Sequence, residues 1–290
     1  MVRNTIWKDE SYFWEETVQD SPFSVFAHNN LGVVYVRKEQ YNKAIEKFKK
    51  ALLLNSDPNI ASISQRLCQK SIIYNNLGSL YYKALRKSQR LAKINSDQVY
   101  AGADMVVMHG EQGIYQKALD SFKRAIRFDR LNAEAHNNLG DLYYLEQSYQ
   151  SALEEYTHAV KLNPYYAEAY NNLGLVFLKE NNHADAQKAF SKAMELDPGL
   201  AEAYNNLGLS YFYKGFYHKA LEKFNRALTL MPHSAEVYFN MALVYLRGFN
   251  DKRRGIYYLK ESLRIDPLQS RATMIKEVLI KLGSDGAAEK

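Results

Sequence analysis

The sequence predicts an all-α solenoid, and three observations carry that prediction. The tetrapeptide Asn-Asn-Leu-Gly occurs five times, at Asn29–Gly32, Asn75–Gly78, Asn137–Gly140, Asn171–Gly174 and Asn205–Gly208. The last three copies are 34 residues apart, and a fixed period of that size marks a repeat array in which each unit buries its apolar face only against its neighbours. Every one of the six prolines falls where a helix of such an array has to end.

Around each tetrapeptide the register is constant. An aromatic follows the Gly by three residues (Tyr143, Phe177, Tyr211) and an Ala by twelve (Ala152, Ala186, Ala220). The series continues through Tyr156, Phe190 and Phe224, then Ala159, Ala193 and Ala227, and closes at Pro164, Pro198 and Pro232. Small residues at fixed helical positions let two backbones approach, aromatics fill the space between hairpins, and Pro stops the second helix. The pattern resembles the tetratricopeptide repeat, which implies antiparallel helix pairs stacked as a right-handed superhelix, with the first helix of each pair on the concave side.

The same ruler divides the chain. Residues 1–24 read as an N-terminal half repeat or capping helix, with Trp14, Thr17 and Pro22 in second-helix register. Repeats follow at 25–58, 133–166, 167–200, 201–234 and 235–268, a capping helix at 269–282 and a disordered tail at 283–290. The sixth repeat needs one extra residue between Tyr245 and Gly255. The second, 59–132, is interrupted: Tyr81 and Ala118 lie 37 residues apart where the pattern asks for nine. The apolar steps Ile60, Ile63, Leu67, Tyr74, Leu77, Tyr81 and Leu85 predict a first helix extended at both ends. A turn at Asn95-Ser96-Asp97 and a second limb from Val99, loosened at Gly110 and Gly113, complete an expected helical hairpin over about 83–110.

Charge singles out the same insertion. Residues 59–110 carry seven basic and two acidic side chains, so they hold five of the six net positive charges. Lys83, Arg86, Lys87, Arg90 and Lys93 recur at helical spacing and form an expected basic docking stripe. Such a stripe suits an acidic protein, a nucleic acid or an anionic membrane surface, or serves as a solvated face that keeps the hairpin soluble. Nucleic acid is the less expected partner, and aromatic interleaving of the kind a single-strand platform needs stops at Tyr81 and Tyr82.

The second Asn of each tetrapeptide, Asn30, Asn76, Asn138, Asn172 and Asn206, with Asn240 in the sixth repeat, is expected on the inward face. An amide donates and accepts, so a ladder of amides can hold the backbone of an extended peptide, and Tyr82, Tyr144 and Phe212 would contact its side chains. The arrangement is similar to the asparagine ladder of the O-GlcNAc transferases. A second reading gives the same Asn residues to hydrogen bonds between neighbouring hairpins. The chaperone-binding relatives use basic residues where this chain has Asn29, Asn75 and Asn137, so a chaperone C-terminus is not the expected partner.

No catalytic constellation, cofactor motif or metal-ligand spacing is present in the sequence, and the expected role is a protein-binding scaffold without catalysis. His28 and His136 occupy the slot that holds Tyr in other repeats and read as packing residues. The single cysteine, Cys68, reads as a filler on the extended helix. With no signal or membrane segment in view, the chain as written reads as cytoplasmic. Arg3-Asn4, Trp7, Asp9-Glu10, Trp14-Glu15, Val18 and Ser21-Pro22 resemble the segment after the last membrane span of dolichol-phosphate-mannose-type glycosyltransferases with tetratricopeptide tails. That likeness implies an accessory substrate-presenting tail, placed outside the cytoplasm, whose gene product starts before Met1.

Overall fold

In the computed structural model, residues 10–59, 61–94, 104–268 and 271–288 are described, with backbone alone for 91–94, 104–109 and 284–288. They form fourteen α-helices with no strand among the described residues. Contacts divide the chain into two units, Met1–Leu162 and Asn163–Lys290.

Unit 1 begins with α1 (Glu10–Asp20), followed by the pair α2 (Val25–Arg37) and α3 (Tyr41–Leu54). Then come α4 (Ile63–Ile94), α5 (Asp104–Phe128), α6 (Ala133–Leu145) and α7 (Tyr149–Leu162). The helices pack as hairpins, α2 on α3, α4 on α5 and α6 on α7. Unit 2 repeats the plan with α8 (Ala167–Lys179) on α9 (His183–Leu196) and α10 (Ala201–Tyr213) on α11 (Tyr217–Leu230). It ends with α12 (Ala235–Leu243) on α13 (Lys252–Ile265), then α14 (Ala272–Ala288).

The motif glycine explains the hairpin geometry. A Cβ at Gly140 would stand 2.6 Å from the ring of Tyr156, and one at Gly174 would stand 2.5 Å from that of Phe190. Both rings are fully enclosed, so the first helix can lie this close to the second only where it carries no side chain. Leu31, Phe48, Leu77, Phe122 and Leu139 join one apolar core through α2 to α6. Phe190 with Leu207, and Phe224 with Val237 and Met241, do the same within unit 2.

The turn between the two helices of a hairpin has its own constant feature. Glu39, Gln147, Asn181, Gly215 and Asn250 all have φ between 52° and 78°, and only one of them is glycine. A left-handed residue with a side chain costs about 1–2 kcal/mol, partly offset by the entropy a glycine would lose. Gln147→Gly is therefore expected to raise the unfolding free energy by roughly 0.5 kcal/mol in urea titrations, whereas Glu154→Gly, inside α7, lowers it by about 1 kcal/mol. Equal effects at the two positions would refute the strain.

Two irregularities match the breaks in the repeat. α4 has 32 residues against 13 in α2 and α6, and α5 breaks its helical path at Gly110, where φ is 65° and ψ 164°. The Asn95–Asp97 turn and the start of the second limb lie outside the described residues, as does the side chain of Lys93. The extra residue of the sixth repeat becomes one turn of π-helix, Val244–Gly248, in which the Phe249 amide donates to the Val244 carbonyl over 3.2 Å. A single insertion widens one helical turn and leaves the register on both sides intact. One expectation is corrected: α14 continues to Ala288 through residues read as a tail. Gly283 and Gly286 each cost about 1 kcal/mol of helix propensity, and neither ends the helix.

Candidate protein-binding surface

The repeated asparagines come together in pairs, with the second Asn of one repeat reaching the first Asn of the repeat before it. In unit 1, Asn76 Nδ2 donates to Asn29 Oδ1 and Asn138 Nδ2 to Asn75 Oδ1, each over 2.9 Å. In unit 2, Asn206 Nδ2 donates to Asn171 Oδ1 and Asn240 Nδ2 to Asn205 Oδ1, again over 2.9 Å. The period of the sequence is thus the period of a clasp that joins successive first helices. The first Asn, given no work in the sequence reading, is the acceptor half; its constant offset of one from the donor was the available signal.

The clasp does not leave all rungs alike. Asn30, Asn76, Asn138 and Asn172 are half-buried, while Asn206 and Asn240 are 9% and 4% exposed. The last two amides are enclosed among helices and face little solvent. Asn138 also donates toward Ser79 Oγ at 3.3 Å, and Asn172 Oδ1 accepts from Asn171 Nδ2 at 3.4 Å.

The aromatic positions also divide. Tyr82 on α4 and Tyr144 on α6 are half-buried, and desolvation pushes each phenol up to about 12. Tyr144 meets Tyr149 edge to face at 5.4 Å between ring centres. Phe212 differs from the expectation: at 8% exposure it packs in the unit 2 core, with the Tyr217 ring 6.0 Å away. Its neighbour Tyr213 is 60% exposed instead, because the last turn of α10 rotates the following position outward.

Between Tyr82 and Tyr144 in sequence position stands Asp141, where other repeats place Val33, Ser79, Leu175, Leu209 or Leu243. Its Oδ1 accepts the Tyr156 hydroxyl over 2.8 Å. Tyr156 is the one hydroxylated member of the series Phe48, Phe122, Phe190 and Phe224, so the two departures from the pattern are one hydrogen-bonded pair. Burial raises the Asp141 carboxyl from its ordinary 3.8 to about 6, against the opposing effects of that hydrogen bond and of the Arg86 charge.

The basic stripe is partly committed within unit 1. Lys83 Nζ donates to the Val36 carbonyl at 3.3 Å, and Lys87 pairs with Glu39 in the turn after α2. Arg86 lies over the Tyr82 ring, 5.8 Å from its centre. Two of the lysines thus brace α4 against the preceding hairpin, and Arg86 and Arg90 are the exposed arginines of the stripe.

These spacings have counterparts elsewhere. Three family models match the chain: a TPR repeat model over residues 110–147 and 140–181, one tetratricopeptide repeat model over 25–58 and 167–200, and another over 201–234. Together they span more than half of the 290 residues. The chain belongs to the tetratricopeptide repeat family.

Solved tetratricopeptide structures share its fold. The APC/C hetero-tetramer Cut9-Hcn1 aligns with a TM-score of 0.73 at 19% identity, over 96% of this chain and 46% of that one, so this protein spans about half the length of that relative. The pilF protein of Pseudomonas aeruginosa aligns at a TM-score of 0.61 and 17% identity, over 87% of this chain and 96% of that one. A thermophilic tetratricopeptide protein of Thermus thermophilus, TTC0263, gives 0.51 and 20%, over 70% and 98%. No curated protein matches the sequence.

As a tetratricopeptide protein the chain is a protein–protein interaction scaffold. No family model covers residues 1–24, so the likeness of that segment to glycosyltransferase tails is not shown, and residues 1–9 lie outside the described residues. No helix among the described residues is long and apolar enough to cross a membrane. One expectation from sequence spacing changes: His136 and Glu155, joined by a 2.7 Å contact between Nδ1 and Oε2, lie with His158 so that their ligand atoms are all within 4.8 Å. The tetratricopeptide hairpin brings α6 and α7 together and creates this group, which has no spacing in the linear sequence that reads as a metal site.

Proposed function

We propose that unit 1 holds an extended protein segment against the first-helix faces of α2, α4 and α6. The observation that carries this reading is the polar and aromatic set Ser79, Tyr82, Asp141 and Tyr144, half-buried on adjacent first helices. Each Asn amide has two N–H groups and an acceptor oxygen, and the clasp uses one N–H. Asn76 therefore keeps an N–H for a peptide backbone, Asn138, whose second N–H is directed at Ser79, offers its oxygen, and Asn30 is not used as a donor in any described clasp. Tyr82 and Tyr144 supply apolar surface with few rotatable bonds, which suits recognition at low entropic cost. Asp141 adds a carboxylate whose partial burial is unfavourable, and a Lys or Arg side chain of the bound segment would relieve it.

In unit 2 the same reading rests on Asn172 and the exposed Tyr213, since Asn206, Asn240 and Phe212 are enclosed. The stripe of Lys83, Arg86, Lys87, Arg90 and Lys93 is a smaller contributor, because the pairing of Lys83 and Lys87 with the α2–α3 hairpin leaves fewer charges for an acidic partner.

Panning a displayed library of random linear peptides against the whole chain tests the proposal. Selected peptides are expected to carry a basic residue at one fixed place and to bind Asp141→Asn and Tyr144→Ala proteins at least about tenfold more weakly, with unchanged helical circular dichroism. Peptides that bind both variants as well as wild type would remove the site from unit 1.

A further inference from the structure

A second feature of unit 1 lies apart from the first-helix faces. An open cavity of about 490 Å³ is lined by Lys123 and Arg127 of α5, Arg130 of the following turn, His136 of α6, and His158 and Lys161 of α7. It is a concavity largely open to solvent. Lys123, Arg127, Arg130 and Lys161 are all exposed, and none of the ion pairs of the described residues involves them. No carboxylate lines the cavity, and the nearby Glu155 is held by His136.

Four like charges around one concavity repel one another, and that repulsion is removed when an anion enters. Guanidinium and ammonium groups make strong charge-assisted hydrogen bonds to phosphate oxygens, with arginine offering a planar fork. The same field opposes the other chemistry open to this place. The group His136, Glu155 and His158 has three potential metal donors, but a divalent cation there would face four fixed positive charges at its rim. We infer that the cavity binds a soluble small molecule carrying several phosphates. The repeat geometry explains why it sits here: the end of α5 and the end of α7 are equivalent positions in successive second helices, and both are basic in this pair.

Isothermal titration of the whole chain at low salt, with pyrophosphate and inositol hexakisphosphate as probes, tests the inference. Both probes should bind, the hexakisphosphate more tightly, and both should weaken as sodium chloride is raised. Lys161→Gln should weaken binding about tenfold and the double variant Arg127→Gln/Arg130→Gln about a hundredfold. These side chains are on the surface, and unchanged thermal unfolding without ligand confirms that the variants fold. Equal affinity in wild type and variants would overturn the site, as would absence of binding by either probe. Binding confined to phosphatidylserine vesicles or to an oligonucleotide would overturn the soluble ligand. Zinc binding that is lost in His136→Ala, with no phosphate binding, would turn the cavity into a metal site.

Discussion

Asn240→Ala lowers the unfolding free energy by about 1–3 kcal/mol in denaturant titrations, and Asn206→Ala does the same. The loss comes mostly from what stays behind. Removing Asn240 leaves the Oδ1 of Asn205, 6% exposed, without the N–H that satisfied it. Removing Asn206 does the same to Asn171, 7% exposed. A buried acceptor stripped of its donor carries most of its desolvation cost, and Asn76→Ala leaves Asn29, 8% exposed, in the same position. The double variant Asn205→Ala/Asn240→Ala should therefore recover part of the loss, because it removes donor and acceptor together. If Asn206→Ala and Asn240→Ala are neutral in stability, the clasp contributes nothing measurable to folding.

Asp141→Asn is expected to stabilise the protein at pH 7 by up to about 3 kcal/mol, and to leave it nearly unchanged at pH 4. The carboxyl is raised from 3.8 to about 6 by burial, so between those values the native state holds a proton that the unfolded chain has released. Stability then falls as pH rises through that window, and the full cost is present above pH 6. Asparagine keeps an oxygen for the Tyr156 hydroxyl and cannot ionise. The difference between the two proteins isolates this group, since every other titration is common to both. A difference that is constant from pH 4 to pH 7, or a less stable variant at pH 7, would show that Asp141 is not penalised. The same variant also serves the peptide-binding test.

How much could be read from the chain depends on the kind of interaction. Gly140 and Tyr156, or Gly174 and Phe190, announce themselves through period, because a close helix pair needs a gap on one helix and a ring on the other. The extra residue before Gly255 was countable in the sequence, and the structure turned it into a π-helical turn. The interruption of the second repeat was likewise countable, and the loosening expected at Gly110 is the break in α5. The inward Asn series was visible as a row, yet its two possible uses were indistinguishable: a donor pointed at a neighbouring helix and one pointed at a ligand have the same letter and the same spacing. Phe212 illustrates the same limit, since rotation of a helix by part of a turn decides between Phe212 and Tyr213 as the exposed ring.

The sequence alone determined the all-α repeat, its register, the place of the insertion and the membership of the family. Those properties follow from local periodicity, and a solenoid is assembled from contacts between near neighbours in sequence. Tertiary structure decided which Asn amides are clasped and enclosed, that Asp141 and Tyr156 form one pair, and that Lys83 and Lys87 brace a neighbouring hairpin. It also decided that His136 meets Glu155 and His158 beside a basic cavity. Each of these depends on the distance between side chains on different helices, and only packing sets that distance.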